Sequence, residues 1–139
     1  MSSHDVPPDV DPAALRGFVG RLLVKAGFDA KLTDDGARIR MDKVVNCRLS
    51  RTLVDTDLFS RLGEAGWDGL VEEAELRRKD AHAKVYIFVF PGRLPEERKE
   101  FLLDADIRPW DMPGIIERFG GSLDAEEELY GKLVRPYLE

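Results

Sequence analysis

The sequence predicts an α/β fold in a single domain with a mixed central sheet, and three observations carry that expectation. Residues 85–90, Val-Tyr-Ile-Phe-Val-Phe, form an unbroken apolar run rich in strand formers, as a strand buried on both faces requires. Upstream, residues 28–49 alternate apolar and polar side chains around turn-forming dipeptides, the pattern of a half-buried meander. Elsewhere apolar residues recur at three- and four-residue spacing between capping residues and glycines, which marks helices.

Length and composition agree with this class. The chain has 139 residues, which suits one domain, and its 43% hydrophobic and 35% charged residues provide both a core and a solvated surface. The expected organisation is a flexible arm over residues 1–11 and one domain over residues 12–139. A formal net charge of −6 argues against a general basic coat for nucleic acid. A metal-dependent nuclease is still compatible with it, because a bound metal supplies positive charge locally. The single cysteine, Cys47, rules out an intrachain disulfide and a thiolate zinc cluster and makes a reducing cytoplasm the expected location. The first residues lack the basic and apolar regions of a secretory signal, and the run 85–90 is far too short to cross a membrane.

In chain order, Asp11 and Pro12 open a helix whose apolar face is Leu15, Phe18, Val19, Leu22 and Leu23, with Gly27 as its stop. Phe28, Ala30 and Leu32 start the first strand, and Asp34-Asp35-Gly36 turns into a second carrying Ala37, Ile39 and Met41. A second turn at Asp42-Lys43 leads to a third strand over residues 44–49. That register puts Val45, Cys47 and Leu49 on one face and Asn46 and Arg48 on the other, so that Cys47 reads as a small buried hydrophobe. A helix from Asp57 stops at Gly66, and Asp68 caps another to about Asp80. After the central strand, Pro95 opens a helix, residues 107–110 form a short strand to complete a βαβ unit, Asp111 caps the next helix, and a last helix starts at Asp124.

The resulting order is an αβββαβ core followed by an αβα extension and a C-terminal helix. It resembles the restriction-endonuclease-like superfamily, the PD-(D/E)xK nucleases, over about residues 12–120, and especially the branch of methylated-DNA-restricting endonucleases. Leu15 to Gly27 followed by Phe28-Asp29-Ala30 is similar to that branch's first helix and strand, Val44-Val45-Asn46-Cys47-Arg48 to its third strand, and Ile107 to Ile116, with Trp110-Asp111, to its last strand and helix. The resemblance implies Mg²⁺ held by a carboxylate at the start of the second strand and an acid or amide on the third, with a lysine two residues further on the same face. This chain departs from that pattern: Arg38 stands near the first acidic position, Asn46 offers one neutral oxygen, and Arg48 cannot give up a proton near neutral pH.

The expectation that follows is a diverged, catalytically inactive nuclease fold that binds nucleic acid or a protein and has no cofactor. Its candidate residues are Asn46 and Arg48 as a residual phosphate site, and Arg38, Arg40, Arg48, Arg51 and Arg93 as cations for DNA or RNA. Each also reads as ordinary solvated charge. One rival is an active Mg²⁺-dependent nuclease that rebuilds its centre from Asp34, Asp35 or Asp42 with Asn46 and Arg48, although Asp34 and Asp35 equally suit a hairpin turn. The other is a protein-interaction subunit or homo-oligomer with an apolar patch around Tyr130, Tyr137 and Leu138.

Overall fold

The computed structural model describes residues 9–138. Helix α1 (Pro12–Lys25) is followed by strands β1 (Ala30–Leu32), β2 (Ile39–Val45) and β3 (Arg48–Asp55). A 3₁₀ turn (Leu58–Arg61) leads into α2 (Leu62–Asp80), and then come β4 (Val85–Phe90), α3 (Glu96–Asp104), β5 (Arg108–Asp111) and α4 (Met112–Phe119). The five strands make one sheet in the order β1-β2-β3-β4-β5. The first three are antiparallel, whereas β3, β4 and β5 run parallel and are joined through α2 and α3. The mixed α/β sheet expected from the pattern is therefore present in one domain.

The central strand β4 is flanked on both sides, and Tyr86, Ile87, Phe88, Val89 and Phe90 are all buried. This explains its lack of alternation, since each face is covered. Register separates the faces. Leu53, Tyr86, Asp55 and Phe88 share the side on which α2 lies, while Ile39, Val54 and Ile87 share the other, where Ile39 approaches α1. Asp11 caps α1 by accepting from the Ala14 amide at 3.3 Å, and Asp111 caps α4 by accepting from the Gly114 amide at 3.1 Å. Both caps lie where the sequence puts them.

The β2–β3 hairpin corrects the expected third strand. Asp42 and Lys43 do not turn the chain; they are paired across the ladder with Arg51 and Ser50. The turn falls at Asn46 and Cys47, both with positive φ (51° and 64°), between the paired residues Val45 and Arg48. A two-residue loop with both centres left-handed matches the right-handed strand twist. The longer register also matches the buried residues Ile39 and Val54 to each other. Cys47 is consequently exposed at the tip rather than buried, and Val44 and Leu49 are 71% and 64% exposed on the projecting arms.

Gly66 (φ 69°) breaks the helical path as expected: a helical segment from Leu58, 3₁₀ in its first turn, ends there, and the longer part of α2 follows the kink. One other expectation changes. The stretch after Asp124 contains Gly131 and Pro136 and forms only short π and 3₁₀ turns, Tyr130–Val134 and Arg135–Tyr137, although Leu133 and Val134 reach the core. Residues 1–8 of the expected arm lie outside the described residues. Val10 is buried, and the Asp9 carbonyl accepts a hydrogen bond from Lys132.

A β-carbon in the left-handed region costs about 1–2 kcal/mol, and Cys47 incurs that cost without a compensating burial. Cys47→Gly is therefore expected to raise stability by about 1 kcal/mol, read as a higher urea midpoint with unchanged slope.

Candidate functional site

The chemistry concentrates where β3 ends. Asp55 is fully buried at the last position of that strand, on the face covered by α2. One carboxylate oxygen, Oδ1, accepts the amide hydrogens of Asp57 (3.0 Å) and Leu58 (3.1 Å), so Asp55 starts the 3₁₀ turn much as a capping residue would. The other, Oδ2, accepts from Arg77 Nη1 at 2.9 Å and from the Tyr86 hydroxyl, with Arg38 Nε at 3.4 Å. Arg77 Nη1 also donates to Asp57 Oδ1 at 2.6 Å, and Arg77 Nε lies 3.9 Å from Glu73. Four separate parts of the chain thus meet at one carboxylate: the end of β3, the start of β4, the last turns of α2, and the β1–β2 connection.

Burial alone would push the Asp55 carboxyl up, but the Asp57 side chain, Arg77 and Tyr86 outweigh it and hold Asp55 below the usual aspartate range. Asp57 moves the opposite way. Desolvation, reinforced by the neighbouring Asp55, raises it despite Arg77 and Arg38. Burial would lower the Arg77 value, yet Asp55 and Asp57 raise it, and the buried Tyr86 hydroxyl is pushed up by desolvation and by Asp55. Both Asp55 oxygens have hydrogen-bond partners.

Beside this cluster lies an open cleft of about 500 Å³ between the β1–β2 connection, the sheet and the C-terminal part of α2. Arg38, Arg40, Arg51 and Arg77 line it together with Asp34, Asp35, Glu73 and Asp80. The register explains why: Arg40 pairs with Leu53 and Asp42 with Arg51, which puts both arginines on the face that holds Asp55. Arg51 forms two bonds to Asp42 (2.9 and 3.4 Å) and one to the Ala81 carbonyl (2.9 Å). Arg40 has a looser hold, 3.7 Å from Asp42, and its buried Nε has no hydrogen-bond partner; the same is true of Arg38 Nε.

The sequence candidates divide accordingly. Arg38, Arg40 and Arg51 meet, and Asp34 and Asp35 sit at the rim of the same cleft. Asp35 is occupied by turn chemistry: it accepts from the Thr33 hydroxyl (2.6 Å) and the Ala37 amide (3.0 Å), which keep its carboxyl low. Asn46 and Arg48 do not join them. They are at the opposite end of β2, at the hairpin tip and the first position of β3, because the hairpin turns later than expected. Their expected strand face does not exist, so a metal centre shared by Asp34 or Asp35 with Asn46 and Arg48 has no geometric basis. Arg93 lies outside the cleft, exposed beyond β4 and 5.4 Å from the Tyr137 ring centre. Arg135 covers Tyr130 in a similar way, leaving Leu138 as the exposed member of the C-terminal apolar trio.

Sequence reasoning missed Asp55, Asp57, Arg77 and Tyr86 as a group. The one local signal was Asp-Thr-Asp at the end of a β-forming stretch, just before a helix. Among the described residues, no group of three or more His, Cys, Asp or Glu side chains is arranged to hold a metal ion. No family model matches the chain, and no curated protein and no solved structure matches it either.

Removing the Asp55 carboxylate takes from Arg77 one of its two close carboxylate partners and leaves the Tyr86 hydroxyl and two backbone amides without their acceptor, a loss of about 3–5 kcal/mol. Asp55→Ala is expected to lose that much at neutral pH in urea denaturation. Because the folded value of Asp55 is depressed, its contribution is complete above the ordinary aspartate value of about 3.9 and fades as pH falls below it. The gap between wild type and variant should narrow in acid; a gap that widens there would contradict the assignment.

Proposed function

We propose that this chain is a diverged restriction-endonuclease-like domain whose arginine cleft binds the phosphate backbone of DNA or RNA without cutting it. The observation that carries the reading is the convergence of Arg38, Arg40 and Arg51 from the second and third strands, with Arg77 from α2, on one open cleft. The order α1-β1-β2-β3-α2-β4, with three antiparallel strands and then a parallel one, agrees with the αβββαβ core of that superfamily. The resemblance implies metal-binding oxygens on the second and third strands. Here the strand positions that line the cleft are Arg40, Arg51 and Leu53, its carboxylates come from the β1–β2 connection and α2, and the one deep carboxylate, Asp55, has both oxygens taken by backbone amides, Arg77 and Tyr86. Guanidinium groups supply positive charge where a divalent ion would otherwise supply it, and they have no water to activate.

Planar guanidinium forks suit phosphate oxygens, and Arg40, the more loosely held, has donor capacity to spare. The carboxylates in the same cleft compete for those donors. They keep the expected affinity moderate and dependent on ionic strength.

Anisotropy titrations of labelled single- and double-stranded DNA and RNA should show binding that weakens with salt and no cleavage in Mg²⁺ or Mn²⁺. Arg40→Ala and Arg51→Ala should each weaken binding similarly across sequences and lower the slope of log affinity against log salt by about 1. Arg93→Ala should leave both unchanged. Metal-dependent cleavage would refute the inactive reading, and binding indifferent to Arg40 and Arg51 would remove the cleft as its site.

A further inference from the structure

On the side of the sheet away from the arginine cleft, α1 and β1 border an apolar groove of about 590 Å³. Its floor includes Gly17 and Gly20 of α1 and Ile39 of β2, while Val24 and Leu32 stand beside it at 59% and 54% exposure. Its charged lining residues are all cations, Arg16, Arg21, Lys25 and Lys31, and no carboxylate lines it, in a chain of formal net charge −6. Lys25 and Lys31 form no ion pair among the described residues, although Arg21 is held by Glu127 at 2.6 Å. This charge pattern is unlike the arginine cleft, where carboxylates match the arginines.

Packing within the domain does not require the groove. A β-carbon on Gly20 would meet only Ile39 Cδ1, at an ordinary 3.7 Å, and one on Gly17 would meet only the Arg21 guanidinium, at 3.0 Å, which would have to shift. Neither glycine has a positive φ, so each costs about 1 kcal/mol of helix propensity relative to alanine with no conformational need. What the glycines provide is close approach. Ala13, Gly17, Gly20 and Val24 recur at four-, three- and four-residue spacing, the seam along which one helix lies against another, and Arg16 and Arg21 flank it.

We propose that the α1–β1 groove docks an amphipathic α-helix of a partner protein, its apolar stripe against Gly17, Gly20, Val24 and Leu32 and its flanking carboxylates against Lys25 and Lys31. The charge pattern selects this occupant. An identical copy in a symmetric contact would set the same cations against one another, and a concave trough suits a helix better than a flat lipid surface.

The test uses the full chain and a synthetic helical peptide of about five turns, with a Leu/Ala stripe flanked by glutamates, and the same peptide with lysines in their place. The acidic peptide is expected to bind and the basic one not to. Gly20→Leu should weaken binding about tenfold or more without lowering the thermal midpoint, because leucine favours a helix and its β-carbon meets Ile39 only at ordinary contact distance. Lys25→Glu/Lys31→Glu should weaken the acidic peptide and admit the basic one. DNA binding is measured in the same variants and should not change, which separates this surface from the arginine cleft. Equal binding of both peptides, no binding of either, insensitivity to the glycine substitution, or binding only to phosphatidylserine vesicles would each overturn the proposal.

Discussion

The buried ion pair between Asp55 and Arg77 is the constraint on which the rest of the arrangement depends. A carboxylate sealed under α2 is tolerable only if its charge is matched and its lone pairs are occupied. Arg77, Tyr86 and two backbone amides meet that requirement, and Arg38 adds to it. Because these groups belong to different elements, the pair fixes the direction in which the chain leaves β3, the rotation of α2 over the sheet and the position of the β1–β2 connection. The arginine cleft is a by-product of that geometry, since Arg38 and Arg77 reach its wall only by reaching for Asp55 and Asp57.

Asp111 plays a parallel part at the other parallel strand end. Nearly buried at the end of β5, it accepts from the Leu94 amide at 2.9 Å and the Gly114 amide at 3.1 Å, and Lys99 stands 3.5 Å away. It therefore caps α4 and ties the loop after β4 to the sheet. Two parallel strands thus end in the same way, with an aspartate that terminates the strand, opens the following helical turn and is neutralised by a cation from a helix. The aspartates differ in surroundings: Asp55 adjoins an open cleft, whereas Asp111 holds a loop and a helix start.

The two faces of the sheet present opposite surfaces to solvent. One opens into a polar cleft in which each sign of charge is represented. The other, beyond α1, offers apolar surface bordered by cations. The β2–β3 ladder contributes to both, since Arg40 and Arg51 face the cleft while Ile39 lines the groove.

By itself the sequence determined the elements whose signals are local. The capped start of α1 at Asp11-Pro12, the unbroken apolar strand 85–90, the Asp111 cap of α4 and the break at Gly66 depend on neighbours a few residues away, and each lies where the residues put it. The α/β class followed from their order. The hairpin register did not, because Asp42-Lys43 and Asn46-Cys47 are both plausible turns until the strands pair. Matching Ile39 with Val54 and Asp42 with Arg51 decides between them. That single choice moved Asn46, Cys47 and Arg48 to an exposed tip and brought Arg40 and Arg51 to the face of Asp55. Tertiary structure alone assembled Arg38, Asp55, Arg77 and Tyr86, because what joins them is a charge match and a hydrogen bond at Asp55 across 17 to 31 positions of sequence, and no local periodicity records such a distance.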